Sequence, residues 1–368
     1  MKEYVQGGRR QMGTSAGGQY RGPERPTLTE WLIGFIPLPY VGGCILLAAI
    51  FSIPGHVLAL YLDTWDINVI LLEIREVQPW LFIVYLILDV LSLFLVIFAA
   101  RYMRLQVMKA KADILPLLPR GEETYNKVFG RVSSFWPPLA LAAIIVTFVI
   151  IPRGLPSGGL FTIIFDSAAI IVFYPMLGTF IWVYFRSTLG LHMLGKESLK
   201  LKPYYEDSML GLLPLGSLSL SLARPFLAVG AIVAVIISLG TPPPNPQTIG
   251  LVSSLIVLGV VMFFLPLNGV HRVMLVEQQK ARVSVQDQSL RFMERPQAPQ
   301  SGTPKGTPTM ESLLARLTDA STLDITERKV AAISIWPFDT RILRRFGALV
   351  ASVATGVSGS FVISQLGF

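Results

Sequence analysis

What this chain has least of is cysteine, histidine and charge. It holds one cysteine, Cys44. An intrachain disulfide is therefore impossible, and a thiolate metal site has no second ligand. Cys44 reads as a small buried hydrophobe. The three histidines, His56, His192 and His271, stand apart from one another. No metal cluster and no cofactor are expected. HExxH, P-loop, CxxC, nucleophile-elbow and kinase signatures are all missing, so no enzyme is expected either. Charged residues make up 15% of the 368, against roughly a quarter in soluble domains. The charge needed to coat a water-soluble surface is not there. The first thirty residues lack an apolar run behind a charged start, so a cleavable signal peptide is not expected. With Lys2 after Met1, no myristoylation signal is expected.

What the chain has in its place is apolar length. Hydrophobic residues reach 52%, and the mean hydropathy is +0.58. Lipid is the natural solvent for such a chain. Apolar runs occur at residues 31–62, 80–102, 136–151, 160–185, 215–239, 249–267 and 346–366. That predicts an all-α polytopic membrane bundle with about seven transmembrane helices. Pro137 and Pro138 suit the start of the third run. The first run is broken by Pro37, Pro39, Pro54 and several glycines, and is expected to cross once with ragged ends.

The net charge of +8 would suggest nucleic acid in a soluble protein. Here the basic residues gather in alternate loops, which is the mark of membrane orientation, so no nucleic-acid partner is expected. Arg9, Arg10, Arg21 and Arg25 precede the first run. Arg101 to Arg131 follow the second, Arg186 to Lys202 the fourth, and His271 to Arg345 the sixth. With seven spans all of these fall on one side, giving an N-in, C-out chain with a small cytoplasmic helical layer. The expected divisions follow: 1–30 a disordered cytoplasmic tail, 31–268 spans one to six, 269–295 an unbroken extension of span six, 296–308 a flexible linker, 309–340 cytoplasmic amphipathic helices, and 341–368 span seven. Residues 310–317 and 325–335 read as two short amphipathic pieces. No internal repeat is evident, so an inverted-repeat transporter gains no support.

Three intramembrane charges stand out. Asp89 lies mid-way along span two, Asp166 in span four and Arg224 in span five. A carboxylate at such depth must be paired, protonated or in contact with a polar path. Pairing of one Asp with Arg224 reads as helix glue, or as part of an ion or substrate path. Span seven is different in kind. Ser352, Thr355, Gly356, Gly359 and Ile363 fall on one helical stripe. Small residues permit close helix packing, and hydroxyls can line a water-filled path. His271, Glu277 and Lys280, just after span six, and Trp336, just before span seven, are the candidate cytoplasmic anchor.

Two resemblances bear on this reading. The segments 199–207 (LKPYYED follows Leu199-Lys200 as Leu201 to Asp207) and 211–216, together with 266–271 (PLNGVH) and 336–339 (WPFD), resemble a group of uncharacterised prokaryotic multi-pass membrane proteins. More distantly, the architecture is similar to that of the insect odorant and gustatory receptors and their relatives. That resemblance implies a tetrameric cation channel whose last helix lines the pore and whose cytoplasmic helices anchor the subunits. The aromatic run and Thr-Tyr pair of those receptors are not reproduced, since Gln365 is followed by Leu366, Gly367 and Phe368.

The functional expectation is a homo-oligomeric, ligand-gated cation-channel-like or sensory protein of the plasma membrane, with tetramers favoured. A small-molecule ligand or ion and the lipid bilayer are its expected partners. The alternatives are a non-conducting scaffold or signalling partner, whose basic segment would dock acidic proteins or anionic lipid, and a secondary transporter using Asp89.

Overall fold

A short capped helix opens the structured part of the chain. The computed structural model describes residues 25–64, 79–153, 160–240, 246–294 and 310–365. Thr27 caps α1 (Leu28–Ile33) through a capping box, its hydroxyl accepting from the Glu30 N–H while Glu30 accepts from the Thr27 N–H. The chain then bends through Pro37 and Pro39, and α2 (Tyr40–Thr64) begins. α3 (Pro79–Ile114) runs 36 residues with its proline confined to the first position. At 1.5 Å per residue that is about 54 Å, well beyond a hydrocarbon core of about 30 Å. Its last turns must therefore stand outside the membrane.

α4 (Glu122–Phe129) is short, with Glu122 and Glu123 at its start and Lys127 near its end, each suited to the helix dipole. α5 (Trp136–Arg153) and α6 (Leu160–Leu194) follow, then α7 (Leu213–Gly240) and α8 (Pro246–Phe264). A 3-10 turn at Leu265–Leu267 passes directly into α9 (Asn268–Glu294). α10 (Met310–Ala331) and α11 (Thr340–Gln365) complete the fold. The described residues hold helices and no strand.

Four helical stretches among the described residues are long and apolar enough to cross a membrane: Leu86–Leu117, Ile170–Leu194, Leu213–Ile236 and Val257–Arg291. Tyr40–Ile53 and Trp136–Phe148 are shorter apolar stretches. Apolar side chains remain exposed in rows, such as Ile83, Ile87 and Leu91 on α3 and Val257, Leu258 and Val261 on α8. Rows of this kind need lipid, because water would make them an aggregation surface. The protein is an integral membrane protein with an all-helical bundle.

α3 and α7 form the centre. α3 packs on α2, α6 and α7, and α7 also packs on α8 and α11. The main core joins Met103 and Val107 of α3, Tyr125 and Phe129 of α4, Leu191 and Leu194 of α6, and Val270 and Met274 of α9. A second core, at α7, α8 and α11, contains Leu227, Phe263, Leu267, Phe338, Ile342 and Phe346. Ser219 of α7 donates its hydroxyl to the Phe263 carbonyl at 3.1 Å, a buried link between two apolar helices.

Several expectations need correction. The predicted disordered tail ends early, because Thr27, Thr29 and Glu30 are packed rather than free. Trp31 belongs to α1, so the first apolar run is two helices. The extension of span six is one helix, Asn268–Glu294, and it joins the span through the 3-10 turn at Leu265–Leu267, where Pro266 has no N–H to donate. The two amphipathic pieces are one helix, α10. Arg186, assigned to a loop, lies inside α6 and is buried. The predicted linker, 296–308, lies outside the described residues.

Candidate functional site at the foot of the last helix

The three segments that stood out in the sequence, 199–216, 266–280 and 336–339, meet in one place. Asp207 orders the first. Its carboxylate accepts from the Met209 and Gly211 N–H groups at 2.8 and 2.9 Å, and the turn brings Leu210 and Gly211 to positive φ of 55° and 81°. Ser334 donates its N–H across to the Ser208 carbonyl at 3.0 Å. Gly216, in the first turns of α7, lies against the Pro337 carbonyl with no room for a Cβ. Gln278 of α9 donates to the Ile333 carbonyl at 3.1 Å.

His271 and Trp336, proposed as anchor residues from the sequence, are brought face to face. Their rings stack at 4.0 Å with 13° between planes. His271 Nδ1 lies 2.7 Å from the Ile335 carbonyl. A carbonyl can only accept, so Nδ1 carries the proton in this contact. Trp336 stacks in turn on Phe338, and Phe263 sits between Phe338 and Phe346, 4.0 Å from the latter. This ladder of rings ties the start of α11 to the α8–α9 junction. Glu277 and Lys280 pair with each other at 2.6 Å on the surface of α9, a contact worth well under about 1 kcal/mol.

Above the ladder, α11 is two-faced. Ile342 and Phe346 are buried, and Leu349 and Val350 pack against the same core. Ser352 and Thr355 are exposed, as are Arg341, Arg344 and Arg345 near the helix start. Each hydroxyl donates to its own helix, Ser352 to Leu349 and Thr355 to Ala351, both at 2.8 Å. α11 is the most amphipathic of the long helices. Gly356, Gly359 and Ile363 continue it, with side chains outside the described residues.

The intramembrane charges are not arranged as one pair. Asp89 Oδ2 accepts from the Ser52 hydroxyl at 2.6 Å, joining α2 to α3. Arg224, half-buried midway along α7, has no hydrogen bond or ion pair among the described residues. The Asp166 side chain lies outside them. The strong buried pair was not anticipated. Arg104 donates to Glu30 at 2.7 Å, with both side chains 9% exposed. Arg101 approaches Glu30 at 3.4 Å and lies over the Tyr40 ring at 4.2 Å. The capping-box glutamate thus also nails α1 to α3.

Two cavities flank α9. One, of about 530 Å³, opens between α6 and α9 beside His192, Lys196, Asn268 and Arg272. The other, of about 360 Å³, lies among Lys202, Tyr204, Lys280 and Ile333. Glu277 lines both. Among the described residues no group of His, Cys, Asp and Glu is placed to hold a metal ion. No family model, curated protein or solved structure matches this chain. The two resemblances therefore rest on the sequence alone.

Proposed function

We propose that the chain is a seven-span, N-in and C-out protein of the plasma membrane that assembles as a homo-oligomer around α11, with the Ser352–Thr355 face lining a central path for cations or a small ligand. The observation that carries this reading is the division of α11. Its apolar face is spent on α7 and α8, and its hydroxyl face points away from the protomer. A helix facing lipid would show the reverse order of residues. Hydroxyls bonded to their own helix still offer oxygen lone pairs to a hydrated ion.

The seven helices α2, α3, α5, α6, α7, α8 and α11 coincide with the seven apolar runs, which supports the span count. α9, the ring ladder and α10 together give a platform for subunit anchoring at the basic end. Arg224, unpaired within the described part of the protomer, fits a site facing water or a second subunit better than one facing lipid. A transporter centred on Asp89 draws less support, since Ser52 holds that carboxylate.

The test is bilayer recording of the purified protein. Ser352→Asp is expected to raise cation conductance or alter selectivity, and Ser352→Ala to leave it near wild type. Currents from a conducting wild type that are unmoved by Ser352→Asp and Thr355→Asp would overturn the reading.

A further inference from the structure

The turn that ends α6 meets the first turn of α9 backbone to backbone. A Cβ on Gly195 would come within 2.6 Å of the Gly269 carbonyl carbon. A cleft of about 530 Å³ opens beside this contact. That volume is in the range of small-molecule sites. The apolar stretch Ile170–Leu194 of α6 ends at this cleft. α9 likewise turns polar here, at Asn268, His271 and Arg272. Both helices therefore leave the hydrocarbon at the level of the cleft, where lipid headgroups lie.

The walls are chemically one-sided. Lys196 comes from the turn that follows α6 and Arg272 from α9, and neither has an ion-pair partner among the described residues. Glu277 is the one acid on the lining, and Lys280 holds it at 2.6 Å. Asn268 adds an amide. Val273 and Val276 make the remaining wall apolar, as suits an amphiphile.

We propose that this cleft binds a phosphate-bearing anion, the headgroup of an anionic phospholipid or a soluble phosphate ester. Lys196 and Arg272 supply the charge and Asn268 a neutral hydrogen bond. The site is independent of any path along α11.

The experiment is native mass spectrometry of the detergent-purified full chain titrated with phosphatidylglycerol, with phosphatidylcholine of the same acyl length, and with inorganic phosphate as competitor. Phosphatidylglycerol is expected to bind more tightly than phosphatidylcholine. The double variant K196Q/R272Q should weaken it about ten- to thirty-fold, at roughly a few-fold to tenfold per basic residue. The control R282Q/R291Q removes the same charge from exposed positions on α9 and should change binding less than about threefold. Displacement of the lipid by millimolar phosphate assigns the site to soluble phosphate esters; resistance to it assigns the site to lipid. Equal binding of the two lipids with no effect of phosphate, or equal loss in both double variants, overturns the proposal.

Discussion

Phe346 and Ser352 belong to the same helix and obey opposite rules. Phe346 is buried against Phe263 and shares a ring ladder that reaches His271. Ser352 touches its own backbone and otherwise faces out. The first position is occupied for packing, where each lost contact costs stability. The second contributes little to the protomer's fold, which is the usual condition of a residue kept for what it meets outside. The foot of α11 is thus where the bundle is held together, and its hydroxyl face is where the proposed function lies.

That contrast can be broken or sharpened by substitution. Phe263→Ala should have the largest effect. It empties the centre of the ladder and should cost about 3–5 kcal/mol, read as a large drop in the unfolding midpoint in detergent. Destabilisation below about 1 kcal/mol would mean that the rings do not hold α11 in place. Arg104→Gln comes next, because it leaves the buried Glu30 with the more distant Arg101 alone. A loss of about 3 kcal/mol is expected, with fraying of α1 seen as faster amide exchange. Ser352→Ala and Thr355→Val should fall within about 0.5 kcal/mol of wild type. A larger loss would place their hydroxyls in the fold and remove the contrast.

The smallest effect concerns pH. The Lys111 ammonium, bonded to Glu122 at 2.7 Å, holds that exposed carboxyl below its ordinary range. A depressed folded-state value means stabilisation that is present above the unfolded value and lost as pH falls through the folded one. Glu122→Gln should flatten the slope of stability between pH 5 and pH 3 slightly, roughly as expected of a surface pair. An unchanged slope would show that the contact does not persist in solution.

The helices built on apolar length were legible in the sequence. α5 and α7 begin and end within a few residues of the expected runs, since hydrophobicity alone defines them, and α3 begins where its run does but continues twelve residues past residue 102. α4 was not, because eight residues of which only Tyr125, Val128 and Phe129 are apolar make no membrane-length run. α10 looked like two pieces because its apolar positions lapse around Ser321. It continues as one helix in which Thr318, Thr322 and Thr326 each satisfy their hydroxyl on the carbonyl four residues back. Arg186 was misplaced because a guanidinium reads as the end of a span; inside α6 its long stem lies buried, its head near Met193.

At the site, His271 and Trp336 could be picked out singly, but not their stacking, which depends on the turn at residues 332–339. The cleft beside Lys196 and Arg272 was missed altogether. Its signal was the pair Gly195 and Gly269, small residues at the polar ends of two spans, and nothing in the sequence alone pairs them.

The most direct measurement exploits the single cysteine. In a Cys44→Ala background, Ser352→Cys, Thr355→Cys and Val350→Cys proteins in nanodiscs would be exposed to a membrane-impermeant, charged thiol reagent. The account predicts rapid labelling at positions 352 and 355 and protection at 350, on the packed face. Protection at all three would put the hydroxyl face against lipid or protein and contradict a water-filled path along α11.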